Sequence, residues 1–331
     1  MSIQPVTMSI ALSNNERTRP VIEGRFQPQG INLVPTVVHP SEMFWRQLKF
    51  AEFDVSEMSL SSLCIATARG DNRFVGLPIY TARNYFHTRI WVRKDSGIEK
   101  PEDLKGKRIG VPEYQQTSAI WGRGALQDEW GVKDSDIEWH MERTPEISHG
   151  GSTGFQAPPG VTIKQIPLEK NIGQMLLDNE LDGTLLYLTK TNLVDRSTAD
   201  ISEVCRPLFP DKAAESKRYY QKNGLYPINH CMVIKRELHE TYPWAAVNIF
   251  HAFMAAKEEI EASAQKTLVD YIDCGLVDPS AAKMFAADPK SYGLRTTRNV
   301  IEKIAQYVHQ QGLADRQVKV EELFAPCMLE M

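Results

Sequence analysis

WVRKDSGIEKPEDLKGKRIGVPEYQQTSAIWGRGALQDEWG, residues Trp91–Gly131, decides how this chain is built. The turn Lys105-Gly106-Lys107 leads into Arg108–Val111 (RIGV), a short β-rich run that Pro112 stops. Thr117 stands where a helix N-cap is expected. Ala119, Gly122, Leu126 and Trp130 then recur at three- and four-residue steps, and Gly131 closes the helix. The loop Pro112–Thr117 (PEYQQT) therefore sits at a helix start, where free backbone N–H groups suit a carboxylate or phosphate.

The same strand–turn–helix rhythm runs outward in both directions. Thr7–Leu12 and Ile31–Val38 read as strands, and Pro40-Ser41 opens a helix with Phe44, Trp45 and Leu48 on one face. Phe53–Leu60 is a third strand that runs into the hydroxyl-rich Ser59-Leu60-Ser61-Ser62, and Phe74–Tyr80 and Thr88–Val92 follow as short strands. Beyond the opening segment come a strand at Ile137–Met141, an amphipathic helix over Leu168–Leu181 and a buried strand at Thr184–Leu188. The Gly, Ser and Pro content of Glu146–Gly160 predicts a loop, and Thr189–Tyr226 reads as irregular apart from Asp211–Lys222. Long helices begin at Pro243 and Thr297, the first carrying His251 as a core residue. Strands alternating with helices predict an α/β fold of two lobes with a ligand cleft between them. Residues 1–92 form the first lobe, 93–200 the second, and 201–331 return to the first with C-terminal helices.

Composition narrows the function. At 331 residues, 42% hydrophobic and 24% charged, the chain can bury a large core. A net charge of −4 and no long Lys/Arg run argue against nucleic acid as a partner. No apolar run approaches the roughly 18–20 residues of a membrane span, so no membrane partner is expected. The N-terminal MSIQPVTMSIALSNNERTRP lacks the charge and apolar pattern of a secretory leader, which predicts a cytoplasmic protein. Five scattered cysteines with no CxxC pair predict reduced thiols rather than disulfides or a thiolate metal site. Neither HxH, HExxH nor a Gly-rich nucleotide fingerprint occurs, so no metal and no organic cofactor is expected. The apolar helical segments of the last third favour a homo-oligomer.

Ala11–Pro20 (ALSNNERTRP), Glu52–Ser62 (EFDVSEMSLSS), Asp95–Gly131, Tyr226–His230 (YPINH) and Glu321–Pro326 (EELFAP) together resemble the 4,5-dihydroxyphthalate decarboxylase family. The DSGI…PEDLKGKRIGV part is common to solute-binding relatives, whereas Gly110–Trp121 (GVPEYQQTSAIW) with Arg123-Gly124 is the more specific part. The resemblance implies a type II periplasmic-binding-protein-like fold. It also implies non-oxidative removal of CO2 from 4,5-dihydroxyphthalate, giving protocatechuate in aromatic (phthalate) catabolism.

Such chemistry has three requirements: holding two carboxylates, drawing density from a catechol hydroxyl para to the leaving group, and protonating the ring carbon. Arginine grips a carboxylate through paired hydrogen bonds, and Arg17, Arg19, Arg83, Arg89 and Arg123 fall in loops or helix starts expected to face the cleft. Ser59, Ser61, Ser62 and Thr117 would give neutral hydrogen bonds, and Tyr114 would stack on the ring. His87, His230 and Glu113 are the candidates for proton transfer. A solute-binding protein for an aromatic or dicarboxylate ligand is the alternative, since the same scaffold binds without catalysing.

Overall fold

The computed structural model describes residues 4–190 and 192–331. Its strands, in chain order, are β1 Val6–Leu12, β2 Ile31–Val37, β3 Val55–Ser59, β4 Phe74–Arg83, β5 Ile90–Arg93, β6 Arg108–Val111, β7 Glu138–Met141, β8 Thr162–Gln165, β9 Gly183–Leu185, β10 Cys205–Pro207 and β11 Ile228–Lys235. They form two sheets. The first has the order β2-β1-β3-β11-β4 and the second β10-β5-β9-β6-β7-β8.

The first sheet is parallel across β2, β1 and β3, because each strand is followed by a helix that carries the chain back. Helices Pro40–Phe50 and Leu60–Ala68 make two of these crossovers. β11 then inserts antiparallel between β3 and β4, so a strand from late in the chain completes the first lobe. The residues read as a strand of the first lobe at Thr88–Val92 instead give β5, which pairs with β9 and β10 in the second sheet. The chain thus changes sheets after Arg83 and again between Pro207 and Ile228.

In the opening segment, β6 matches Arg108–Val111, and the helix runs Thr117–Trp130 with Gly131 left-handed at φ 64°. Gln116 is the N-cap, so Thr117 is the first helical residue and its hydroxyl is released for contacts across the lobes. Gly122 and Gly124 are close-approach positions: an added Cβ at Gly124 would lie 2.4 Å from the Tyr307 ring, and one at Gly122 2.8 Å from Leu185. Three further expectations change. Ser148 caps a short helix, His149–Thr153, inside the predicted loop by accepting from the Gly151 N–H at 2.9 Å. The pattern over Leu168–Leu181 gives helix only at Ile172–Leu177, because Asn171 caps it and Asn179 turns to φ 58°. β10 lies within the stretch read as irregular.

A single apolar cluster joins Met8, Ile10 and Val55 of the first sheet to Ile109, Val111 and Trp139 of the second. Trp121 donates its indole N–H to the Ile228 carbonyl at 2.9 Å, tying the second-lobe helix to β11. Among the described residues no helix is long and apolar enough to cross a membrane.

Candidate active site

The parallel strands of both sheets end toward the seam between the lobes, and the helices that follow them begin there. Three helix N-termini meet at one cavity of about 210 Å³: Pro40–Phe50 behind His39, Leu60–Ala68 behind Ser59, and Thr117–Trp130 behind Gln116. First-turn N–H groups lack intrahelical partners and the helix dipoles add positive potential, so the cavity favours an anion. Phe44, Phe86, Leu186 and Leu188 give it apolar walls, and Arg143, His39, His149, Asn229 and His230 complete it.

His230 lines the cavity beside a buried carboxylate. Its Nδ1 lies 3.2 Å from Glu57 Oε2 and its Nε2 2.9 Å from the Asn229 amide nitrogen, while Phe44 packs edge-on at 4.7 Å between ring centroids. Glu57 is fully buried in β3. The Ser13 N–H and O–H each donate to its Oε1 at 2.6 Å, and the Thr81 hydroxyl donates to Oε2. Burial opposes the charge, yet these bonds, led by His230, hold the carboxyl below its ordinary range. An ionised carboxylate only accepts, so it fixes the proton on His230 Nδ1.

Across the cavity Arg143 is wholly buried. It donates from Nε and Nη2 to Asp195 at 2.7 and 3.2 Å, from Nη1 to Glu113 Oε2 at 2.9 Å, and from Nη2 to the Ser41 hydroxyl at 2.6 Å. Burial works against both charges of the Arg143–Asp195 pair, but pairing keeps Asp195 below the usual carboxylate range and Arg143 above its own. His149 has Nδ1 3.4 Å from the Ser62 hydroxyl and 3.8 Å from Glu113 Oε2, and burial lowers it to about 4, so it is neutral. Its Nε2 and the Gln116 Nε2 are buried without a hydrogen-bond partner, two unmet polar atoms in residues of one cavity wall.

Of the residues singled out in the sequence, Ser59, Thr117 and His230 line this cavity. Ser59, Ser61 and Thr117 form a hydroxyl cluster at 2.8–3.3 Å that joins the lobes, and Ser62 backs His149. Glu113 stands behind the wall, held by Arg143 and by the Gly150 N–H at 2.7 Å.

The others lie elsewhere. His87 is packed against Tyr219, Phe209 and Trp130 with Nε2 2.9 Å from Glu215, a site built by the helix Lys212–Asn223. Arg123 is buried under Tyr114, its guanidinium 3.7 Å from the ring centroid, and donates to the Tyr114 carbonyl and Gln311 rather than to the cavity. Tyr114 donates its hydroxyl to Asp134 at 3.2 Å. Arg17 donates to the Thr81 carbonyl and Arg83 to the carbonyls of Pro289 and Ser291. Arg19 and Arg89 are exposed.

Glu57, Arg143, Asp195 and His39 were missed. Glu57 had a signal: a lone carboxylate inside the apolar strand pattern FDVSEMSL. Arg143 and His39 had a weaker one, each lying two residues past the end of its strand, β7 and β2, where open α/β sheets hold ligands. Among the described residues no group of three His, Cys, Asp or Glu is placed to hold a metal ion.

Comparison with known proteins gives the family. A curated 4,5-dihydroxyphthalate decarboxylase from Comamonas testosteroni is 33% identical over 328 residues, 98% of this chain and 97% of that protein. This chain belongs to the 4,5-dihydroxyphthalate decarboxylase family. A second member, from Pseudomonas putida, is 36% identical over 190 residues, 56% of this chain and 74% of that protein. The family model described as NMT1/THI5 like matches residues 72–149, which hold the opening segment and His149. The fold of this decarboxylase-family chain is that of the periplasmic aliphatic sulphonate binding protein SsuA from Escherichia coli. That chain is 14% identical, with a TM-score of 0.54 over 98% of this chain and 99% of its own. The two-lobed binding-protein architecture expected from the sequence is therefore present.

Proposed function

We propose that this chain decarboxylates 4,5-dihydroxyphthalate, or a close hydroxylated aromatic dicarboxylate, to protocatechuate and CO2. The observation that carries the reading is the buried Glu57–His230 pair facing a cavity built from three helix N-termini, in a chain related along nearly its whole length to a named decarboxylase. The helix starts at Ser41 and Thr117–Ser118, together with Ser59 and Arg143, hold the two carboxylates. Phe44 and Leu186 cover the ring faces. The hydroxyl para to the departing carboxylate meets the histidine wall and enriches the ring carbon in electron density. His230, oriented by Glu57 through Nδ1, takes up a proton at Nε2 and delivers it to that carbon. The C–C bond then breaks, its electron pair restores the aromatic ring, and CO2 leaves. His230 is reprotonated from solvent. No oxidant enters this balance.

The reading also has the protein in the cytoplasm, in keeping with five unpaired cysteines, and as a homo-oligomer through the exposed Val269 and Tyr271 of the helix Pro243–Asp273 and Leu276 just beyond it. The test is incubation of purified protein with 4,5-dihydroxyphthalate, with and without chelator, following CO2 and protocatechuate. Binding without turnover refutes the enzyme reading in favour of a solute-binding role, and turnover that stops on chelation refutes metal-free chemistry. Size-exclusion with light scattering and cell fractionation test the remaining two points.

A further inference from the structure

Three of the buried polar side-chain atoms without a partner gather at a second place, away from the interlobe cavity: Arg83 Nε, Asp288 Oδ1 and the hydroxyl of Tyr292. Arg83 and Asp288 line a cavity of about 220 Å³, close in size to the first, together with Tyr220, Tyr226, Ser291, Thr296 and Asn299. Arg83 spends its two terminal nitrogens on backbone carbonyls and, among the described residues, has no acidic side chain within ion-pair distance. Its charge is held over the rings of Tyr80 and Tyr226, 5.0 and 5.9 Å from their centroids, in a setting that lowers it to about 10 by burial. A half-buried cation without an ion-pair partner attracts an anion.

Asp288 supplies the opposite element. Lys257 Nζ holds its Oδ2 at 2.8 Å, which orients the carboxylate and leaves Oδ1 without a donor. Its backbone sits at φ 43°, a conformation uncommon for any residue but glycine and tolerated by aspartate, and it fixes the loop between the two sides of the cavity. The wall therefore offers a guanidinium without an ion-pair partner and tyrosine rings on which a flat molecule can lie, with an acceptor that lacks a donor just beneath its surface.

We propose that this cavity is a second ligand site, for a single-ring aromatic carboxylate that carries at least one hydroxyl. The carboxylate neutralises Arg83, the ring lies against Tyr226 and Pro289, and the hydroxyl donates to Asp288 Oδ1. That the enzyme's own product belongs to this class rests on the function proposed above; the site itself does not.

The test is calorimetric titration of the full chain with 3,4-dihydroxybenzoate, paired with crystals soaked in the same compound. Two molecules per chain are expected, one between the lobes and one against Arg83. Asn299→Trp fills the second cavity from its exposed rim without touching Arg83, and should weaken the second molecule by at least about tenfold while sparing the first. Arg83→Met should do the same. Benzoate, which cannot donate to Asp288, should bind there at least about tenfold more weakly. A single molecule per chain, between the lobes, overturns the proposal, as does a second one indifferent to both substitutions. Binding at Arg83 without any turnover of 4,5-dihydroxyphthalate would leave the second site standing and remove the decarboxylase reading instead.

Discussion

Glu57→Gln tests the proton-delivery assignment most directly, because it removes one charge and almost no volume from a fully buried position. Four donors converge on the carboxylate: the Ser13 N–H and O–H on one oxygen, the Thr81 hydroxyl and His230 Nδ1 on the other. The amide oxygen can keep both Ser13 bonds, and the Thr81 hydroxyl can rotate to accept from the new NH2. His230 cannot keep its arrangement, since a donor now faces Nδ1; the ring must move its proton to Nε2 or break the contact. What disappears is a hydrogen bond between a charged donor and a charged acceptor, worth roughly 1.5–3 kcal/mol. If His230 must carry a positive charge to protonate the ring, that loss falls on the transition state. At about 1.4 kcal/mol per factor of ten, kcat should drop roughly 10- to 150-fold. KM should change little, because the helix N-termini and Arg143 that hold the carboxylates are untouched. Steady-state kinetics with 4,5-dihydroxyphthalate, alongside thermal denaturation of the same variant, separate the chemical effect from a folding defect. A stable variant that retains more than about a third of wild-type kcat would show that Glu57 and His230 do not deliver the proton.

Arg143→Met should destabilise the protein by about 3–5 kcal/mol in urea titration, because it strands the buried carboxylates of Glu113 and Asp195, and the folded fraction should bind substrate more weakly. His87→Asn should lower the melting temperature by removing the Glu215 contact and the aromatic packing, yet leave kcat of the folded protein within about twofold, since His87 is not in the cavity wall. His149 is held neutral at about 4, so below its ordinary 6.5 the unfolded chain takes up a proton that the folded chain refuses. That contribution to stability is complete above pH 6.5 and falls by roughly 3 kcal/mol as the pH drops toward 4; the difference between wild type and His149→Gln in urea titrations across that window isolates it. Gly124→Ala gains about 1 kcal/mol of helix propensity but drives a methyl into the Tyr307 ring, whose hydroxyl is anchored on Asp128, so the net change by chemical denaturation should be destabilising by about 1–2 kcal/mol.

The sequence made the scaffold legible because its signals are local. Gly106, Pro112 and Gly131 bracket one strand and one helix in a stretch of residues whose periods of two and 3.6 do not overlap, and the structure follows them to within a residue. β10 was not readable, since three residues leave no period to detect. The candidate cavity was legible at helix starts: Ser59 and Thr117, which line it, stand out because hydroxyls at such positions are conspicuous. Charged residues misled for an opposite reason. Arg123 and His87 look reactive in one dimension, yet each is consumed by contacts more than a hundred residues away, Gln311 for one and Glu215 for the other. Glu57, Arg143 and Asp195 escaped because nothing in their own neighbourhoods says that they meet partners from β11, from the helix Pro40–Phe50 and from each other.

The seam between the two lobes is closed by more than a polar contact. Segments joined by a small, polar contact rock against one another by default, whereas a large apolar contact makes them one body. Here the apolar cluster runs unbroken from β1 to β7, and the seam is stitched by the Ser59–Thr117 hydroxyls, the Trp121–Ile228 bond, the Arg143–Ser41 bond and the Arg123–Gln311 bond. Opening it would expose Trp121 and leave buried polar groups on both sides without partners, a loss of several kcal/mol. A carrier needs that opening to release its cargo. A decarboxylase gains from its absence, because donors fixed before the substrate arrives need not reorganise as charge moves on the ring. The closure that would handicap transport therefore suits the proposed chemistry, since it sets His230 and Arg143, one from each lobe, on the walls of one cavity.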